Sequence, residues 1–262
     1  MVTQEKMGID PLSARSLYLK LMFQGQALGP ATGFIVEWND QWHLITNWHV
    51  VSGRHPETSK LLSPTAAIPD EIEIRHHSKK FGTWVTCVER LMDYQGNPRW
   101  FEHPSGCQVD VVALPLQAID AQVKIYSFPL SLADTDMIPT VAMPVSIIGF
   151  PLGLATAGSF PIWKTGHIAS DPGLNYDDKP AFLIDATTRG GMSGSPVVLR
   201  LLGGFETRSG RKIIGQTGPS TRFLGVYSGR THGDSEIGIV WRPHVITDIF
   251  NQITKDDLLP SD

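Results

Sequence analysis

The segment Arg189-Gly-Gly-Met-Ser-Gly-Ser-Pro196 sets one serine, Ser193, between Gly191 and Gly194 and directly before a β-branched run. Glycines at such positions let the backbone turn tightly, approach a substrate closely and aim amides at a developing negative oxygen. A serine hydroxyl is a weak nucleophile at neutral pH. It needs a general base within about 3 Å and a further group that holds that base in the right tautomer. Nine histidines compete for the base. His43, His55, His76, His77, His103, His167, His232 and His244 read as structural or surface residues. His49 differs, because it ends an apolar strand and is followed by Val50 and Val51. Asp110 puts a charge at the start of a strongly apolar run, where a buried carboxylate has to be paired.

The elements that must position these residues are mostly strands. From Ser16 the residues Leu17, Leu19, Leu21 and Phe23 alternate onto one side, as in a half-buried strand. The segments ATGFIVEW and WHLITN flank the turn formers Asn39-Asp40 and predict a hairpin. Glu71 to Arg75 alternates cleanly and Phe81 to Val88 more loosely, and a polar loop over 94–108 precedes the apolar run from Val109 to Leu116. Weak periodicity over 118–138 marks a linker. Further strand-like runs follow Val145, Trp163, Ala181, Pro196, Thr221 and Glu236, with a polar glycine-rich surface hairpin over 203–218. After Pro243, the residues Val245, Ile246, Ile249, Phe250 and Ile253 repeat at helical spacing. Strand after strand with one closing helix predicts an all-β architecture rather than βαβ units.

Composition sets outer limits. The 262 residues suffice for a continuous core without disulfide or metal staples. Two cysteines, Cys87 and Cys107, exclude both a disulfide scaffold and a four-cysteine metal site. A net charge of −4 and isolated basic pairs at Lys79-Lys80 and Arg211-Lys212 give no expectation of a nucleic-acid partner. No phosphate-binding loop or His-Glu-x-x-His motif occurs, and no cofactor or metal is expected. The start of the chain is polar, without a signal-peptide pattern, and no apolar run has the length of a membrane span. A cytoplasmic protein without a membrane partner is the expectation.

Three segments in this order, LITNWHVV, VDVVALPL and GGMSGSPVV, resemble the trypsin/chymotrypsin-like serine peptidases. The nearest flavour is the disulfide-poor bacterial branch that includes the high-temperature-requirement proteases. The resemblance implies a general base at His49, an orienting carboxylate at Asp110 and a nucleophile at Ser193, with the amides of Gly191 and Ser193 as the oxyanion hole. The order His, Asp, Ser differs from that of α/β-hydrolases. The implied fold is two six-stranded antiparallel β-barrels of the chymotrypsin type with a C-terminal helix. The N-terminal barrel would span 13–117 and carry His49 and Asp110. A linker over 118–138 would lead to a C-terminal barrel and helix over 139–255 carrying Ser193.

The implied function is a serine endopeptidase that hydrolyses polypeptide substrates through an acyl-enzyme. The alternative is a catalytically silent module of the same fold that binds a peptide or protein. Substrate-binding positions map to Thr187, Ser228, Gly229, Arg230 and Gly238. Thr187 is neutral, so a small or apolar residue before the scissile bond is expected, and Arg230 could narrow the pocket or attract an acidic side chain. Secreted relatives carry an aspartate where this chain has Met192, so activation by pairing with a new N-terminus is not expected. A regulatory protein partner is left open. The roughly 20 residues after the last expected strand are too few for the PDZ module of the high-temperature-requirement proteases. Two free thiols are expected, as in a reducing compartment.

Overall fold

The structure, a computed structural model, describes residues 8–80, 82–207, 209–214 and 218–253. Phe81, positions 208 and 215–217 of the expected surface hairpin, and residues 254 and 255 of the expected second lobe lie outside the described residues.

The N-terminal half forms one antiparallel sheet from β1 (Ser16–Phe23), β2 (Gln26–Trp38), β3 (Gln41–Thr46), β4 (Glu71–Ser78), β5 (Trp84–Arg90), β6 (Phe101–Glu102), β7 (Val112–Pro115) and β8 (Val123–Lys124). Their order is β5-β4-β1-β2-β3-β7-β6, with β8 paired to β4. Asn39 and Asp40 take φ of 49° and 60°, the left-handed pair that a two-residue hairpin turn requires between twisted strands. The alternation in β1 holds through Leu19. A bulge between Leu21 and Met22 then exchanges faces, so Met22 is buried and Phe23 is not.

The C-terminal half contains β9 (Pro144–Gly149), β10 (Ile162–Ile168), β11 (Ala181–Asp185), β12 (Pro196–Leu201), β15 (Ser220–Arg230) and β16 (Ile237–Trp241), closed as a barrel in the order β10-β11-β16-β15-β12-β9. Between β12 and β15, β13 (Gly204–Glu206) and β14 (Lys212–Ile214) make a separate two-stranded sheet. Two short helices complete the fold, α1 (Trp48–Ser52) after β3 and α2 (His244–Phe250) at the end.

The expectation of two six-stranded barrels is therefore corrected. One six-stranded barrel closes, whereas the first sheet has eight strands and stays open, and the described residues hold two α-helices rather than one. Beyond the turn from Asp93 to Pro98, the two residues of β6 pair with β7 at one edge of the sheet, while β5 forms the other edge and shares no ladder with β6. An isolated bridge from Met92 to Pro98 and an ion pair from Arg99 to Glu89 at 3.4 Å hold that edge instead.

A hydrophobic cluster belongs to neither half alone. It joins Phe34 and Ile45 of the sheet, Ile148, Val198 and Phe223 of the barrel, and Val245, Ile246, Ile249 and Phe250 of α2. The last four residues are the apolar face expected from helical spacing, and burying them locks α2 across both halves.

His43 is fully buried with its ring against Phe250 at 5.1 Å, and His76 is buried on β4. Burial disfavours their charged forms and holds each at a pKa of about 4, below the ordinary 6.5. Between pH 6.5 and 4 the unfolded chain therefore binds protons that the folded chain refuses. Stability is complete above pH 6.5 and falls as the pH drops toward 4. Urea midpoints should be lower at pH 5 than at pH 7.5, and a His43→Gln variant should show a shallower fall by up to about 1.4 kcal/mol per pH unit.

Candidate active site

His49 occupies the second position of α1. Val50 and Val51 behind it are buried in the core, which turns that side of the helix inward and leaves the imidazole at a cleft, 19 % exposed. Gly53 ends the helix at φ 65° and donates its N–H to the His49 carbonyl. Asp110 lies just before β7, and Asn47 Nδ2 donates to its backbone carbonyl at 2.6 Å.

The Asp110 carboxylate is 1 % exposed and accepts three hydrogen bonds. The His49 backbone N–H donates to Oδ1 at 2.8 Å, while His49 Nδ1 at 2.7 Å and Ser228 Oγ at 2.5 Å meet Oδ2. An ionised carboxylate only accepts, so Nδ1 carries the imidazole proton and Nε2 presents a lone pair. That lone pair faces Ser193 Oγ at 2.9 Å. Ser193 Oγ also lies 2.9 Å from the Ser228 carbonyl, so its single proton can serve either acceptor.

The loop carrying Ser193 is set by glycines. Gly191 (φ 92°) and Gly194 (φ 85°) hold left-handed conformations. A Cβ on Gly191 would sit 2.3 Å from the Phe150 carbonyl, and one on Gly194 would sit 2.0 Å from the Thr32 carbonyl. The Gly190 carbonyl accepts from Leu152 N–H at 2.6 Å. In a trans peptide the Gly191 N–H then points the opposite way. Among the described residues, neither the Gly191 N–H nor the Ser193 N–H has a hydrogen-bond acceptor, whereas the neighbouring amides of Met192, Gly194 and Ser195 donate to carbonyls.

Thr32, fully buried on β2, fastens this loop to the first half of the molecule. Its N–H donates to the Ser193 carbonyl at 2.9 Å and its hydroxyl to the Gly191 carbonyl at 2.7 Å, while Phe150 N–H donates to Oγ1 at 3.1 Å.

The sequence-predicted residues distribute as follows. His49, Asp110 and Ser193 come together. Ser228 faces Asp110, and Gly229 and Arg230 line a cleft of about 280 Å³ beside His49 and Ser193. A second cleft of about 190 Å³ opens on the other side of Ser193, with Leu28, Pro30, Val50 and Leu62 on its walls. Thr187 is exposed, and Gly238 on β16 faces the ring of Tyr227 rather than open space. Reading the sequence missed Thr32, the Ser228–Asp110 bond, and a bond joining the hydroxyls of Thr188 and Tyr227. The phrase Pro-Ala-Thr-Gly around Thr32 is a weak local signal, and the other two contacts have none.

A buried carboxylate, an imidazole and a serine hydroxyl hydrogen-bonded in series, beside two amides without an acceptor among the described residues, define a serine hydrolase built on a catalytic triad. Residues 31–202 match the trypsin-like peptidase domain, and the chain belongs to that family. It is a serine endopeptidase, and its substrate is a polypeptide.

Among solved structures, the serine endoprotease from Yersinia pestis aligns with a TM-score of 0.53 at 13 % identity, covering 94 % of this chain and 67 % of that one. This likeness concerns the fold. A protease from M. tuberculosis in its active form aligns with a TM-score of 0.47 at 16 % identity, covering 92 % of this chain and 81 % of that one. No curated protein matches the sequence.

Two substitutions test the supports of the site. Ser228→Ala deprives the buried Asp110 carboxylate of one donor, a loss of about 1–3 kcal/mol, and should lower kcat roughly 10- to 100-fold with KM little changed. Thr32→Val keeps the side-chain shape but leaves Phe150 N–H and the Gly191 carbonyl one partner short. A drop in kcat together with about 1–3 kcal/mol of lost stability is expected, read by steady-state kinetics and by denaturant unfolding.

Proposed function

We propose that Ser193 is the nucleophile of peptide-bond hydrolysis. His49 Nε2 takes the Ser193 proton as Oγ attacks the substrate carbonyl carbon, and the carbonyl oxygen becomes an oxyanion. Asp110 stays ionised, keeps Nδ1–H in place and stabilises the imidazolium that forms. The imidazolium then returns the proton to the leaving amine, which departs as the acyl-enzyme ester forms. Water repeats the sequence on the ester, with His49 again as base. The amides of Gly191 and Ser193 receive the oxyanion in each half, and one such donor contributes about 3–4 kcal/mol to the transition state. The observation that carries this reading is the hydrogen-bonded series from Asp110 through His49 to Ser193 beside two amides with no acceptor among the described residues.

The oxyanion loop needs no partner to order it in this reading. Met192, where activation by a new N-terminus would require an acid, is fully buried with Ile184, Ala186 and Val197. Packing of Met192, the Leu152 bond to Gly190 and the Thr32 bonds support a loop that is ready before substrate arrives.

The proposal extends to organisation and compartment. His49 and Asp110 belong to a lobe over 13–117, which a connection over 118–138 joins to a lobe over 139–255 bearing Ser193. Cys87 is buried on β5 and Cys107 stands in a separate 3₁₀ turn, both as free thiols. Unpaired thiols of this kind support work in a reducing compartment such as the cytoplasm.

Ser193→Ala and His49→Ala should each lower kcat by roughly 10⁵- to 10⁶-fold, and the double variant should lose little more, because the two act as a unit. Both single variants should also lose labelling by a fluorophosphonate. Full peptidase activity in Ser193→Ala would remove Ser193 from the nucleophile's role.

A further inference from the structure

The residue before Ser228 is Tyr227, and its side chain turns into the barrel beside the active site. Its hydroxyl is hydrogen-bonded to that of Thr188, five residues before Ser193. Both residues are buried, at 2 % exposure for Tyr227 and 1 % for Thr188. The ring packs against Gly238 of β16. A Cβ added to Gly238 would sit 2.6 Å from Tyr227 Cε2 and 3.4 Å from Ile184 Cγ1. Gly238 therefore makes room for a tyrosine of the protein itself. Burial also raises the Tyr227 pKa, so the phenol keeps its proton and its bond to Thr188.

The position of this ring bears on the substrate. A side chain preceding the scissile bond must project from a carbonyl carbon held against Ser193 Oγ. Of the positions that sequence resemblance assigned to substrate binding, Thr187 is exposed, whereas Gly238 abuts the Tyr227 ring, whose hydroxyl is bonded to that of Thr188, the residue after Thr187. The two clefts described at Ser193 are lined on one side by Leu28, Pro30 and Leu62 and on the other by His55, Glu57 and Arg230. Neither is lined by Thr187, Thr188 or Gly238.

We propose that Tyr227 is the specificity-determining residue of the peptidase. Its ring fills the pocket for the side chain before the scissile bond and restricts that residue to glycine, alanine or serine. The substrate class is a polypeptide cleaved after a small residue. The proposal rests on Ser193 being the nucleophile. Thr188 fixes the ring by its hydroxyl, and Ile184, Met192 and Val240 share the hydrophobic cluster in which it is buried.

A peptide library with every residue at the cleavage position, digested by the wild-type protein and by Tyr227→Val and Tyr227→Phe, tests this. A fluorophosphonate labelling reaction on each sample separates the two layers of the argument. Wild type should label and should cleave after alanine, glycine or serine. Tyr227→Phe keeps the ring and should retain that profile. Tyr227→Val removes the ring from a wall of aliphatic side chains. It should raise kcat/KM for leucine or phenylalanine relative to alanine by on the order of 10- to 100-fold.

Wild type that labels but cleaves best after leucine, phenylalanine, arginine or lysine overturns the proposal and leaves the nucleophile in place. So does a labelled Tyr227→Val protein with an unchanged profile. Failure of wild type to label overturns the nucleophile reading, and the proposal with it. If Tyr227→Val does not fold, the wild-type and Tyr227→Phe profiles still decide between these outcomes.

Discussion

The carboxylate of Asp110 is the constraint around which the rest is arranged. A charge at 1 % exposure is tolerable only when hydrogen bonds replace the water it has lost, and leaving one uncompensated costs several kcal/mol. The three donors come from two separate parts of the chain. His49 supplies two of them from α1, beside the open sheet, and Ser228 supplies the third from β15 of the barrel. The charge is satisfied only when the two halves are docked. The same docking brings Ser193 within reach of His49 Nε2, so satisfying a buried ion and assembling the site are one structural event.

Thr32 extends this logic to the loop carrying Ser193. Its backbone and hydroxyl hold the carbonyls of Ser193 and Gly191, which anchors the loop that carries the amides of both residues. A loop that approaches β2 this closely excludes side chains at its turning points. A Cβ on Gly194 would lie 2.0 Å from the Thr32 carbonyl, and no rotamer change relieves a backbone collision. The glycines that read as chemistry in the sequence are thus equally a requirement of docking. The shared cluster under α2 acts in the same direction, since Phe34, Phe223 and Phe250 bury apolar surface that neither half could bury alone.

What was legible in the sequence follows from the range of each interaction. His49, Asp110 and Ser193 each sit in a run of neighbours whose apolar or glycine pattern is local. The Asn39-Asp40 hairpin and the apolar face of α2 are legible for the same reason, and both formed. Closure of the first sheet is a different kind of property. It depends on whether the distant edges β5 and β6 meet, and β6 pairs with β7 and not with β5. The bulge in β1 also escaped, because it is set by pairing with β2 and not by β1 itself. Ser228 was assigned to the substrate by its place in the chain, yet its hydroxyl meets Asp110 from 118 residues away.

Tyr227 illustrates a conflict that pattern alone cannot resolve. It occupies a β15 position flanked by buried neighbours, pairs in register with Val240, and joins the barrel's hydrophobic cluster with Ile184, Met192 and Val240. In a six-stranded barrel, the interior that must be filled for stability lies against the pocket that must be emptied for a large substrate side chain. An aromatic ring placed in that space adds burial to the core and subtracts volume from the pocket. Its one polar atom would be costly there without a partner, and Thr188 provides one. Under the reading proposed for Tyr227, specificity for small residues is the consequence of packing the barrel to its limit. The tyrosine hydroxyl and the Thr188 hydroxyl are the pair that makes such packing tolerable.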